Sequence, residues 1–191
     1  MGETSLGIVK GWYHGNHAQL LKIVADLSDA PLASRPTSTA HSIAFELWHA
    51  SRANDVLAVR IPRMASSLER KLGSGKQIWT AEGLAAKWGL DPSKLGPGQD
   101  GYGMNDADAA ALQLPGKVVL LEYAQRALAA GERAVDAIDE QEFVTLYKSP
   151  SPWEGERPIG WFVMHHLLHD NWALGYIAAL RRALGLPRAL A

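Results

Sequence analysis

The stretch PGKVVLLEYAQRALAAGERAVDAI, residues 115–138, decides the fold. After Pro115-Gly116, the residues Leu121, Ala124, Leu128, Gly131, Val135 and Ile138 recur at steps of three and four. That step brings them all to one side of an α-helix, the pattern of a bundle seam. Alanine and glycine on the seam let a neighbouring helix approach closely. Three further stretches carry the same periodicity. One runs from about Trp12 to Leu27, with Leu20, Val24 and Leu27 on one face. Asp29-Ala30-Pro31 ends it, because proline cannot continue a helix and disfavours the helical region before itself. A second runs from His41 to Val59, with Ile43, Leu47, Ala50 and Leu57 as its stripe and Pro62 to close it. The last begins at Pro158-Ile159-Gly160 and reaches Leu184, where Gly185 and Pro187 stop it.

No stretch alternates with a period of two. Between Arg63 and Pro115 the helical pattern weakens. Thr80 reads there as the N-cap of a short helix, Ala81 to Trp88, with Gly89 at its C-terminal end. The run Gly96-Pro97-Gly98-Gln99-Asp100-Gly101-Tyr102-Gly103 reads as an irregular surface loop, and long loops in compact domains often serve as lids or pocket walls. The expected architecture is all-α: a four-helix bundle forming one domain over residues 1–191. It carries a long, partly helical connection between the second and third main helices.

Composition narrows the function. The chain has 191 residues, 47% of them apolar and 20% charged, the balance of a globular protein with a continuous core. Cysteine is absent, which removes disulfides, thiolate metal sites, iron–sulfur clusters and cysteine nucleophiles. The net charge of −1 is spread along the chain without a dense basic face, so no nucleic-acid partner is expected. Arg181, Arg182 and Arg188 read as favourable charge at a helix C-terminus. Met1-Gly2-Glu3-Thr4 has no basic region followed by an apolar core, and no run approaches the roughly 20 apolar residues of a membrane span. The expected location is cytoplasmic, with no membrane partner.

The candidate chemistry lies in histidines. The last helix carries His165-His166-Leu167-Leu168-His169-Asp170-Asn171-Trp172. His165 and His169, four apart, project from one face and could share a metal ion, with His49 of the second helix facing them across the core. His14 and His17 read as solvated or capping residues, and His41 as structural. Glu46, Asp55 and Glu122 are candidate partners for a histidine or general bases, and otherwise ordinary solvated charges. Trp48, Trp161 and Trp172 read as core, with the alternative of lining a pocket beside the histidines. No nucleophile elbow, phosphate loop or dinucleotide fingerprint is present.

Ser42-Ile43-Ala44-Phe45-Glu46-Leu47-Trp48-His49 resembles the second helix of the DinB/YfiT-like family. The segment His165 to Ile177 resembles its fourth, and Leu180-Arg181-Arg182-Ala183-Leu184-Gly185-Leu186 its ending. The helix order and the long connection agree over nearly the whole chain. The resemblance implies a four-helix bundle with a divalent metal, nickel or zinc, on three histidines. It implies a small-molecule substrate and, in some members, S-transfer or isomerisation with a low-molecular-weight thiol; many members have no known activity, and none is a DNA polymerase. A homodimer is also in keeping with it.

Carried over by position, the ligands fall on His49 and His169, while the third position is Ala173, which cannot bind a metal. Either His165 takes the vacant role, or His166 does by a bend of the helix, or the metal has been lost. The expected metal set is therefore His49, His165 and His169, in a metal-dependent transferase or hydrolase. The competing expectation is a metal-free bundle that binds a small apolar ligand or serves as a dimeric interaction protein.

Overall fold

The computed structural model describes residues 4–189, so the Met1–Glu3 segment read above for a leader lies outside the described residues. Four long helices form the bundle: Ser5–Lys22, Ile43–Arg60, Lys117–Asp136 and Ile159–Ala183. The first two begin at local caps. The Thr4 hydroxyl accepts from Gly7 N at 3.1 Å, so the first helix starts about two turns before the position its apolar pattern suggests. Ser42 does the same for the second, accepting from Phe45 N at 3.1 Å. The third opens after Gly116 with its Lys117 N–H donated to Asp29 Oδ1 at 2.6 Å. Proline marks boundaries, but by starting helices. Pro31 sits in the first turn of a short helix, Asp29–Ala33, and Pro62 in the first turn of a 3₁₀ turn, Ile61–Met64, where no proline N–H is required.

The second helix packs on the third and fourth, and the first on the fourth and third. The apolar core has two parts. One gathers Leu20, Ile43, Leu47, Leu128 and Ile177; the other gathers Val9, Leu57, Val135, Phe162 and Leu167. The order in which each helix visits them gives its direction. The first and fourth helices run one way and the second and third the other, which is why the second-to-third connection must cross the length of the bundle.

That connection holds helices Ser66–Leu72, Ile78–Ala81, Leu84–Lys87 and Asp106–Ala111. The single helix expected over Ala81 to Trp88 is split, because Gly83 adopts φ +63° between its halves, and Thr80 lies inside the first half rather than capping it. Two strands also appear that the sequence did not announce: Leu146–Lys148 pairs antiparallel with Glu156–Pro158. At three residues each they are too short to show a period of two. No helix among the described residues is long and apolar enough to cross a membrane.

Candidate functional site

Between the two apolar parts lies a polar layer to which every long helix contributes. Tyr13 and His17 come from the first, Asn54 from the second, Glu132 from the third and Asp170 from the fourth. His17 is 1% exposed, so the expectation that it is solvated is overturned. It sits mid-helix, one turn past Tyr13 on the buried face. Its Nδ1 lies 2.9 Å from Glu132 Oε1 and its Nε2 3.2 Å from Asp170 Oδ2. Asn54 donates to Asp170 Oδ1 at 3.0 Å and to the Ala50 carbonyl at 3.0 Å, and accepts from the Tyr13 hydroxyl. His14 stays at the surface, 3.0 Å from Asp136 Oδ1. A glycine makes room for the layer: a Cβ at Gly131 would meet Asn54 Oδ1 at 2.7 Å.

Beside this layer His49 and His169 meet, their Nε2 atoms 2.9 Å apart and their ring centres 4.7 Å apart. The glycine-rich loop orients His49. Gly101, at φ +94°, passes so close to the second helix that a Cβ would stand 2.9 Å from the Phe45 ring. Arg52, 1% exposed, pins the loop by donating to the carbonyls of Gln99 (2.9 Å) and Gly98 (3.2 Å), and is itself held by Asp55 at 3.1 Å. The Asp100 carbonyl thereby lies 2.5 Å from His49 Nδ1. A carbonyl only accepts, so Nδ1 carries the proton and Nε2 of the neutral ring is a lone pair. Burial lowers the His49 pKa and so favours the neutral ring, against the smaller opposing effect of that hydrogen bond.

These two imidazoles open on a cleft of about 580 Å³. Tyr102 of the glycine-rich loop, Trp153 of the hairpin turn, and Trp172 and Tyr176 of the fourth helix line it, all four largely exposed. A second lobe of about 560 Å³ shares Glu46, His49, Tyr102 and Tyr176, and extends to His41 and Met104. His165 lines the first lobe, its ring stacked on Trp161 at 5.2 Å and beside Trp153 at 5.7 Å; burial lowers its pKa. His166 does not line either lobe. Trp48 is core, whereas Trp172 is a cleft wall. Of the three acidic candidates, Glu46 accepts from His41 Nδ1 at 2.7 Å and Asp55 is a buried anchor for Arg52 and for the Ile78 and Trp79 backbone; Glu122 is exposed.

The family model described as the DinB superfamily matches residues 13–177. The chain belongs to the DinB superfamily. A solved structure described as the conserved protein of a locus from Enterococcus faecalis superposes with a TM-score of 0.75 at 14% identity. The match covers 96% of this chain and 99% of that one, a likeness of fold. No curated protein matches.

Within this DinB superfamily fold the two-histidine pair offers two of the nitrogens a metal ion needs. Two ligand nitrogens about 2.1 Å from one ion and at right angles to each other stand about 3.0 Å apart. The 2.9 Å between His49 Nε2 and His169 Nε2 matches such a right-angle pair, is shorter than the roughly 3.4 Å of a tetrahedral pair, and is also the length of an N–H···N hydrogen bond. The third position is different. Ala173, 3% exposed, fills the place the family pattern gives to a ligand. Among the described residues no group of three or more histidines, cysteines or acids is disposed to hold an ion. The structure therefore brings His49 and His169 together, with His165 on the same cleft wall against its two tryptophans.

Proposed function

We propose that this DinB superfamily member is a divalent-metal-dependent enzyme, a transferase or hydrolase, that acts on a small molecule in the aromatic cleft. His49 and His169 are the ion's ligands, and His165 is the third imidazole available to ion or substrate. One observation carries this reading: two imidazole Nε2 atoms converge at 2.9 Å, one of them a lone pair by virtue of the Asp100 carbonyl behind it. That lone pair takes either a proton from the facing ring or a metal ion, and the cleft beside the pair gives an ion access to it.

Nickel and zinc both accept imidazole nitrogen, and either, when bound, lowers the pKa of a water or thiol so that a nucleophile exists near neutral pH. The residues of the chain do the rest. Trp153, Trp172 and Ala173 give an apolar wall that takes up the apolar part of a substrate. Tyr102 and Tyr176 line both lobes, and His49 is reached from each of them. A low-molecular-weight thiol as the second of these follows from the family resemblance. A cytoplasmic setting, in keeping with a chain that holds no cysteine, belongs to the same reading.

Ala173 favours a second reading, a metal-free cleft that binds an apolar aromatic ligand. Metal analysis of tag-free protein separates the two. Wild type should carry or take up one ion per chain, and nickel or zinc at a hundred times its Kd should stabilise the fold by about 2.7 kcal/mol. The His49→Ala, His169→Ala double variant should do neither. Equal and negligible metal in both proteins, with no shift in melting temperature, would reject the metal reading in favour of the second.

A further inference from the structure

We propose that the cleft takes a small organic cation, a methylated ammonium or a compound carrying one. Its charge lies among the rings of Tyr102, Trp153, Trp172 and Tyr176 and is countered by Glu46 and Asp100. The inference rests on the cleft being the ligand site, which the metal-bound and metal-free readings share. Among the described residues, the tryptophan and tyrosine side chains more than half exposed are Trp12, Tyr102, Trp153, Trp172 and Tyr176, and all but Trp12 line this one cleft. Exposed apolar side chains scattered singly need no explanation, but four rings gathered on one cleft mark a binding surface.

The walls that carry these rings are anchored. Trp172 and Tyr176 follow His165 and His169 at steps of four, three and four, one stripe of the fourth helix. Trp153 precedes Glu154, which is 6% exposed and holds the hairpin turn by accepting from Arg60 Nη1 at 2.9 Å and from the Ser149 hydroxyl. Tyr102 donates its backbone N–H to Asp100 Oδ1 at 3.0 Å, directly after the close approach at Gly101. A cleft with walls held in this way loses little freedom when a ligand arrives.

Charge selects the ligand. Glu46 is 6% exposed and lines both lobes. Its Oε1 accepts from His41 Nδ1 at 2.7 Å, while its Oε2 accepts no hydrogen bond from any described residue. Asp100 lines the first lobe, and among the described residues no lysine or arginine lines either one. A neutral apolar ligand would cover a carboxylate without replacing the water it loses, and an anion would be repelled. A cation is attracted by the carboxylates and by the ring faces together, and methyl groups on its nitrogen add contact with the apolar wall.

The test uses EDTA-treated protein and two probes of one shape: choline chloride and its uncharged carbon analogue, 3,3-dimethylbutan-1-ol. Titrations followed by the tryptophan indole N–H signals in ¹H–¹⁵N NMR give both affinity and place. Choline should bind about 2–30-fold more tightly than the alcohol, the span of a cation–π contact from exposed to desolvated, and should move the Trp153 and Trp172 signals. A Trp153→Leu, Trp172→Leu double variant keeps apolar bulk but loses the ring faces, so the preference should fall toward one. Both side chains are exposed, and the melting temperature should hold. Glu46→Gln should weaken choline and leave the alcohol as it was. An alcohol that binds as tightly as choline, a folded double variant with the wild-type preference, or indole signals that neither probe moves would overturn the proposal. If a variant does not fold, the wild-type comparison decides by itself. Zinc uptake is measured separately, so a wild type that prefers choline but takes up no zinc defeats the metal reading alone.

Discussion

Gly131→Ala should destabilise the protein, although alanine is the better helix former. In the interior of an exposed helix the exchange gains about 1 kcal/mol, because glycine loses more backbone freedom on folding. At position 131 the new methyl would lie 2.7 Å from Asn54 Oδ1, 3.0 Å from the Tyr13 hydroxyl and 3.4 Å from Asn54 Cβ. Asn54 is fully buried and held at three points, by Tyr13, the Ala50 carbonyl and Asp170, so it cannot move aside without giving up a bond. Each buried hydrogen bond left unmade costs about 1–3 kcal/mol, and one or two are at stake. The balance is a net loss of up to about 5 kcal/mol, and each kcal/mol lowers the melting temperature by roughly 2–4 °C in a chain of this size. The protein supplies its own controls. Gly11, Gly15 and Gly175 also lie inside long helices, and a Cβ at any of them meets nothing within 4 Å. Alanine at these three should stabilise by about 0.5–1 kcal/mol each. Thermal and urea unfolding of the four single variants gives the answer. A Gly131→Ala protein that melts at or above wild type, alongside the three controls, would refute the account of the polar layer as a packed and pinned unit.

Arg52→Met should cost about 3–5 kcal/mol, because it leaves the buried Asp55 carboxylate short of its cation and frees the glycine-rich loop. The loop's release should be seen as faster amide exchange at Gly101 and Tyr102; unchanged exchange would show that Arg52 does not pin it. His49 and His165 both titrate below the ordinary imidazole value, with burial as the leading cause. The unfolded chain therefore takes up their protons first, and the stability they support is full above about pH 6.5 and is lost as the pH falls below it. His14, raised chiefly by its hydrogen bond to Asp136, acts in the opposite sense. Melting temperatures taken from about pH 7.5 to 5 should fall less in a His49→Asn, His165→Asn double variant than in wild type. An equally steep fall in both would locate the effect elsewhere.

The four long helices were legible in the chain because their signals are local. Leu121 to Ile138 repeat at the helical period, and Gly185 and Pro187 stop the last helix by their own backbone chemistry. His49 and His169 were legible as candidates because a histidine beside an apolar stripe stands out, and the family resemblance chose between them and the rest. The hairpin at Leu146–Lys148 was not legible, since three residues cannot show alternation. Nor was the break at Gly83, where one left-handed residue outweighs the helical pattern around it.

What the sequence determined by itself is the number of long helices, their order and the faces they bury. Each of these follows from residues within a few turns of one another. What only the tertiary structure decided is the content of the space between them. His17 and Asp170 are 153 positions apart, and nothing near either one announces the other. Their meeting depends on the depth and rotation of two helices packed side by side, and on a glycine in a third that leaves the room. The convergence of His49 on His169 depends likewise on a loop that places one carbonyl oxygen behind one ring. Such distances are set by the whole fold at once, and a linear pattern carries no record of them.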